Sequence, residues 1–374
     1  MQAQPGADTS SPEEGGSSLK LGTFIGVFTP TVLTVLGVIM YLRMGWVLGH
    51  AGLTGTIGIV ILANVITLLT SLSLSALATN MKVGVGGAYY LISRSFGLAL
   101  GGAIGIPLYL SQTLSLTLYA YGMAESFRFV LPQELLDTSW FLPLVAALII
   151  ILVSAVAGKS TELTLKLQRP IMVLIAASLV SLFIGTFSST EPLTMAEAVP
   201  PVEDVPFWAV FAVFFPAVTG ILSGVSLSGD LADARKSIPR GVLAAVLIGF
   251  VVYLIVPVAL YMSAGPNLLK QDTLVWLKVA WIPWLILPGL WGAILSSAFG
   301  SIPSAPRTLQ ALALDRLAPK VFTRTHPTTG EPVLGLYVSA GVALAAVSLG
   351  NLNMVAEWLT VFFLTTYGAL NAVA

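Results

Sequence analysis

The sequence predicts an all-α integral membrane protein of ten spans, built as two five-helix halves of opposite topology with the first and sixth helices broken near mid-membrane. Three observations lead there. The chain of 374 residues is 56% hydrophobic and only 9% charged, with a mean hydropathy of +0.92, whereas soluble domains carry about 25% charged residues. Its apolar residues fall into ten runs of membrane-spanning character. Two of those runs hold proline, glycine and threonine where a helix should continue unbroken.

Taken in order, residues 1–20 are polar and rich in Gly, Ser and Pro, which predicts a disordered tail. They have neither a basic n-region nor an apolar h-region, so they do not read as a cleaved signal peptide. A ten-helix transmembrane domain then occupies 21–374, with spans expected at about 22–47, 53–79, 98–127, 141–158, 168–187, 207–230, 241–263, 283–302, 333–350 and 354–374. Pro132, Asp137, Pro192, Pro200, Pro201, Pro206, Pro266, Pro283, Pro319 and Pro327 fall at the connections, where turn chemistry belongs. The abrupt end after Ala374 leads us to expect that the natural sequence continues.

Lysines and arginines orient these spans. With the N-terminus cytoplasmic, Lys20, Lys82, Arg94, Lys159, Lys166, Arg169, Arg235, Lys236, Arg240, Arg307, Arg316, Lys320 and Arg324 face inward. Arg43, Arg128, Lys270 and Lys278 face outward, giving thirteen against four. Spans 1 and 6 then run in opposite directions, so spans 1–5 and 6–10 are inverted copies in topology. A multi-pass protein of the plasma (inner) membrane follows.

The break in span 6 lies within Phe214-Phe215-Pro216-Ala217-Val218-Thr219-Gly220-Ile221-Leu222-Ser223-Gly224, and that in span 1 within Phe28-Thr29-Pro30-Thr31-Val32-Leu33-Thr34-Val35-Leu36-Gly37-Val38. A broken helix offers carbonyls to a cation and amides to an anion. Pro216 cannot donate a backbone hydrogen bond and should leave a carbonyl upstream unpaired. Thr219 adds a hydroxyl, Gly220-Ile221-Leu222 offers amides, and span 1 offers carbonyls at Val32 to Thr34 and amides at Gly37-Val38-Ile39. Matched breaks in two halves point to a secondary transporter's binding site; a single one would more often be a packing kink. No carboxylate lies at either break, which favours alkali cations and halides over proton coupling.

Other candidates are weaker. Ala293, Ser296 and Ser297 share one face of span 8 and could complete an oxygen shell for a small cation, or bond neighbouring helices. Tyr119 and Tyr367 stand too deep in spans 3 and 10 for belt residues. Arg43 and Glu125, at the outer ends of spans 1 and 3, read equally as an external gate or as solvated interface residues. Absent cysteine excludes disulfides and thiolate metal sites, and His50 and His326 are too far apart for a ligand pair. Zero formal net charge gives no argument for nucleic acid. No cofactor is implied, no nucleophile–base constellation suggests an enzyme, and a closed midplane site disfavours a channel.

At these segments the chain resembles the cation-chloride cotransporter family of the amino acid–polyamine–organocation superfamily, as a bacterial-type or orphan-branch member. The matching text includes Gly37-Val38-Ile39 through Arg43 and Trp46, Gly49-His50-Ala51-Gly52, and Gly86-Gly87-Ala88-Tyr89-Tyr90-Leu91-Ile92-Ser93-Arg94-Ser95. Residues 214–224, Ser228-Gly229-Asp230-Leu231-Ala232-Asp233 and Ser304-Ala305-Pro306-Arg307 match as well. The resemblance implies the inverted-repeat five-plus-five (LeuT-type) fold and symport of chloride with sodium or potassium. It implies a potassium site of Thr34, Val35, Tyr119, Pro216 and Thr219, and chloride on Gly37, Val38 and Ile39. A second chloride would sit on Gly220, Ile221 and Leu222 with Tyr367. Sodium would sit on Leu33, Leu36, Ala293, Ser296 and Ser297, and both serines place the chain nearer the sodium-coupled branch. Arg43 and Glu125 match the family's external gate.

Family members of known activity typically have asparagine where this chain has Thr34, which puts potassium selectivity in question although Tyr119, Pro216 and Thr219 remain. The family's last two helices and its regulatory domain, which support homodimers, have no counterpart in this sequence. Two other readings compete: an amino acid or amine permease on the same fold, and a non-transporting membrane scaffold.

Overall fold

A computed structural model describes residues 21–80, 86–129, 131–132, 134, 138–157, 161–188, 191–194, 204–226, 231–327 and 330–374. The expectations for the tail 1–20, for Lys82, Asp137, Lys159, Pro200 and Pro201, and for Ser228-Gly229-Asp230 concern residues outside these.

Among the described residues the fold is helical, with no strand beyond two isolated bridges, Leu21 with Leu231 and Leu193 with Ala264. Span 1 starts as a π-helical turn, Phe24–Phe28, continues as α1 (Thr29–Val35), and resumes after a break as α2 (Val38–Leu42). α3 (Met44–Asn80) bends at Gly52, whose φ of 65° is left-handed and open to glycine. Residues before Gly52 finish span 1, and those after it form span 2. α4 (Ala88–Phe96) leads into span 3, α5 (Leu98–Ser126); spans 4 and 5 are α6 (Phe141–Ala157) and α7 (Thr161–Ser188).

Span 6 comprises α8 (Phe207–Phe214), a 3₁₀ segment Phe215–Val218 and α9 (Ile221–Ser226). Span 7 is α10 (Ala234–Ser263), and two short helices, α11 (Pro266–Gln271) and α12 (Val275–Val279), precede span 8, α13 (Ile286–Ser301). α14 (Ser304–Leu314) connects to spans 9 and 10, α15 (Val333–Ala346) and α16 (Leu352–Val373).

All ten expected spans are therefore helical. Among the described residues, seven helical segments are long and apolar enough to cross a bilayer, Phe141–Val156 and Val333–Leu349 are shorter apolar helices, and Leu352–Val373 is helical but falls in neither group. Two boundaries differ from the sequence reading. Span 7 starts at Ala234 rather than near 241, because Asp233 caps it by accepting the Lys236 amide at 3.3 Å. Span 5 starts at Thr161 rather than near 168, since Glu162, Lys166 and Gln168 favour helix although they interrupt hydropathy.

The helices are apolar on both sides, as lipid requires. On α10, Val242, Ala245, Val246 and Tyr253 are buried while Leu247, Val251 and Ile255 are exposed. Spans 1, 2, 6 and 7 pack on one another, spans 3, 4, 5, 8 and 9 form a second set of contacts, and span 10 touches spans 2, 3 and 6. Trp140, Trp208, Trp281, Trp284 and Trp358 are exposed near the starts of even-numbered spans, the kind of position that interfacial tryptophans take in membrane proteins.

Candidate functional site

Span 1 breaks at Leu36 and Gly37, whose backbone angles (φ −84°, ψ 47° and φ −98°, ψ −153°) lie outside the helical region. The Leu36 amide still bonds the Val32 carbonyl at 2.8 Å, and beyond the break α2 is closed by the Arg43 amide on the Ile39 carbonyl at 2.9 Å. The carbonyls of Leu33, Thr34 and Val35 and the amides of Gly37, Val38 and Ile39 therefore flank the gap. Two side chains from other spans reach these carbonyls. Ser297 donates weakly to Leu33 at 3.4 Å, and Tyr253 donates to Val35 at 2.6 Å.

Span 6 unwinds over its 3₁₀ segment. The upstream carbonyl expected to be left open by Pro216 belongs to Ala212, and it is not open: the Thr360 hydroxyl of span 10 donates to it at 2.6 Å. The sequence reading is corrected there, because a hydroxyl far along the chain replaces the missing amide. The Pro216 carbonyl accepts the Thr219 amide at 3.3 Å and the Thr219 hydroxyl at 2.9 Å. Tyr367 donates to the Thr219 carbonyl at 2.8 Å. Gly220 forms the turn into α9, so Ile221 and Leu222 carry its first amides.

The two breaks touch. A methyl group on the Gly220 α-carbon would lie 2.8 Å from the Thr34 Cβ and 3.1 Å from the Val35 amide nitrogen. Gly224, one turn on, packs as closely on Thr31 and Val27. Thr34 folds its hydroxyl back onto the Pro30 carbonyl at 2.8 Å and lies 3.4 Å from the Ser223 hydroxyl. Beside this contact is a small cavity lined by Thr34, Ser115, Tyr119, Thr219, Ser223 and Ser301, reaching Gln112 and Ser304. It reaches the C-terminal end of α13, and the described residues that line it are uncharged.

Ala293, Ser296 and Ser297 are buried on α13, whose helix packs on α1. Ser297 lies beside Leu33 and near Gly37, and Tyr119 lies beside Ser297 and Ser301. The structure thus gathers Leu33, Thr34, Val35, Leu36, Tyr119, Pro216, Thr219 and the span 8 residues around one location. Tyr367 joins it from the span 6 side.

At the C-terminal ends of α2 and α5, the Arg43 guanidinium pairs with Glu125 at 2.7 Å, and both side chains are 6% exposed. Arg43 also donates to the Leu42 carbonyl and, through Nε, to Asn353. The reading of these two as solvated interface residues is overturned, since both side chains are buried within the protein. Glu125 Oε2 is buried with no hydrogen-bond partner, so the pair stands in a poorly solvated setting.

Sequence reasoning missed Tyr253, Thr360 and Asn353. Each acts on a partner more than a hundred residues away, and no spacing rule links such positions. An isolated tyrosine within the apolar run of span 7 was the only available hint, because a buried phenol needs an acceptor.

Comparison with known proteins places the chain among transporters. A family model described as amino acid permease matches residues 26–374. Solute carrier family 12 member 2 of Danio rerio is 31% identical over 416 aligned residues, covering 96% of this chain and 37% of that protein. The Homo sapiens member 2 is 30% identical over 417, covering 96% and 34%, and the Homo sapiens member 1 is 29% identical over 425, covering 98% and 39%. The chain spans little more than a third of the length of these relatives. Homology along nearly the whole chain agrees with the resemblance to cation-chloride cotransporters drawn from its motifs.

Proposed function

We propose a transport cycle from one premise: the chain belongs to the amino acid permease family. It is a multi-pass integral membrane transporter and not an enzyme. Within that frame it works as a secondary symporter of chloride with sodium, and with potassium as a third ion, by alternating access. The N-terminus is cytoplasmic and the membrane is the plasma (inner) membrane, on the thirteen-to-four distribution of basic residues. Rocking of spans 1, 2, 6 and 7 against the remainder exposes the site alternately, as expected of inverted repeats.

The observation that carries the ionic reading is the contact of the two breaks at Thr34 and Gly220, next to a hydroxyl-lined cavity without charge. A chamber of that size suits stripped ions. An amino acid substrate needs room between the breaks for its α-carbon and side chain, and the close approach at Gly220 disfavours it.

In this reading sodium rests on Leu33, Leu36, Ala293, Ser296 and Ser297, and potassium on Thr34, Val35, Tyr119, Pro216 and Thr219. Chloride takes the amides of Gly37, Val38 and Ile39, and a second takes those of Gly220, Ile221 and Leu222. Tyr367 turns its hydroxyl from the Thr219 carbonyl to that second anion. Arg43 and Glu125 form the outer gate, held shut in this conformation by their buried ion pair.

Purified protein in proteoliposomes tests the proposal. Uptake of radioactive rubidium and chloride should each require the other ion and sodium. Independent uptake of either, or uptake of a labelled amino acid, would overturn it in favour of the permease reading.

A further inference from the structure

We infer that Tyr253 is a positioning residue of the cation site that sets its preference for a large over a small alkali ion. The inference rests on the proposed potassium site and extends it to a residue outside that site's ligand set. Tyr253 lies on α10, is fully buried, and donates to the Val35 carbonyl at 2.6 Å. Its ring meets Phe214, the last residue of α8, edge-on at 5.3 Å and 86°. One side chain thus contacts both halves of the site, holding the carbonyl at the end of α1 and packing where span 6 begins to unwind.

The approach is built in. One turn before Tyr253 stands Gly249, where a methyl group would lie 2.4 Å from Val35 Cγ1. Only a residue without a Cβ lets α10 come this near the break. Tyr367 plays the matching part at the other break by holding the Thr219 carbonyl at 2.8 Å. Each unwound segment therefore has one exposed carbonyl pinned by a buried phenol from a neighbouring span.

Pinning has two chemical effects. It fixes the direction of a carbonyl that no longer has a helical partner. It also occupies one lone pair of that oxygen, which weakens the field the oxygen presents to a cation. Selectivity among alkali ions depends on the number and field strength of coordinating oxygens, and weaker fields favour larger, more easily dehydrated ions. With the phenol in place Val35 suits potassium or rubidium; without it the oxygen is freer to collapse on sodium or lithium.

Tyr253→Phe removes one oxygen and keeps the ring. In proteoliposomes with sodium saturating, lithium competition against rubidium uptake is measured for wild type and variant. The expected result is a shift of about five-fold in the lithium-to-rubidium preference toward lithium, with half-saturating chloride unchanged. An unchanged preference in a folded variant overturns the inference, whereas a structural role alone would lower yield or maximal rate and leave the preference fixed. Should Tyr253→Phe fail to fold, Gly249→Ala displaces Val35 from the phenol and is read in the same assay with the same two outcomes. Loss of rubidium–chloride coupling in the wild type would instead sink the proposed function, so the two failures are distinct.

Discussion

Tyr367 on span 10 donates its phenolic hydrogen to the Thr219 carbonyl at 2.8 Å, tying a helix to the unwound middle of span 6. The ring is fully buried and packs against Phe215 and Phe363. The hydroxyl is the polar atom this side chain brings to the site, and it lies one residue from the amides assigned to the second chloride.

Tyr367→Phe therefore keeps the packing and deletes one donor. Half-saturating chloride should rise about five-fold, while rubidium dependence changes less. Chloride titration of radiolabelled uptake checks this, and an unaltered chloride affinity counts against the assignment.

Ser297→Ala removes a buried hydroxyl near the Leu33 carbonyl. The substitution leaves little void, so thermal stability should hold while half-saturating sodium rises about five-fold. Sodium activation of chloride uptake provides the measurement.

Thr360→Val tests the repair of the proline break. It uncovers the Ala212 carbonyl, which has lost its helical partner to Pro216. An unpaired buried acceptor costs about 1–3 kcal/mol, to be seen as a lower melting temperature in detergent. A melting curve matching wild type would show that the carbonyl finds another donor.

The ion pairs divide by burial. Glu125→Ala strands Arg43 in a pocket where both side chains are 6% exposed, and removing one member of a buried pair costs about 3–5 kcal/mol. Asp272→Asn breaks a pair to Lys278 whose side chains are 20% and 58% exposed, where about 0–1 kcal/mol is at stake. Thermal unfolding of the two variants should rank them in that order. The Glu125 variant should also label faster with an impermeant reagent at a cysteine placed outside the site.

Gly220→Ala probes the contact between the breaks. The added methyl meets Thr34 Cβ and the Val35 backbone, neither of which is the tip of a flexible side chain. Rubidium uptake should fall more than about ten-fold, with the protein still recovered as a monodisperse species. Uptake at the wild-type rate would mean that the breaks separate without consequence.

Much of this architecture could be read from composition and punctuation. Ten helical segments and both interruptions follow from apolar runs, from Pro216, and from Gly37 and Gly220, whereas the helix runs through Pro30 unbroken. α4 and α14 escaped because they are short and polar on one side; the apolar face of each is buried against α5, which hydropathy alone does not register. Tyr253, Thr360 and Asn353 escaped for a different reason. Their roles depend on which helices become neighbours, and local sequence carries no trace of a hydrogen-bond partner 218, 148 or 310 positions away. Arg43 and Glu125 were legible as a pair of opposite sign, but whether water reached them was not.

The hydroxyl-lined passage beside Thr34 has an electrostatic corollary. A lone ion entering walls of Ser, Thr, Tyr and Gln would carry its whole charge into a medium of low permittivity, with no fixed counter-charge to meet it. A partner of opposite sign a few ångströms away removes most of that penalty. Under the proposed symport, stoichiometric coupling would need no mechanical interlock between the sites: each ion would serve as the missing counter-ion of the next, and Coulomb's law would hold a half-loaded protein back from turning over.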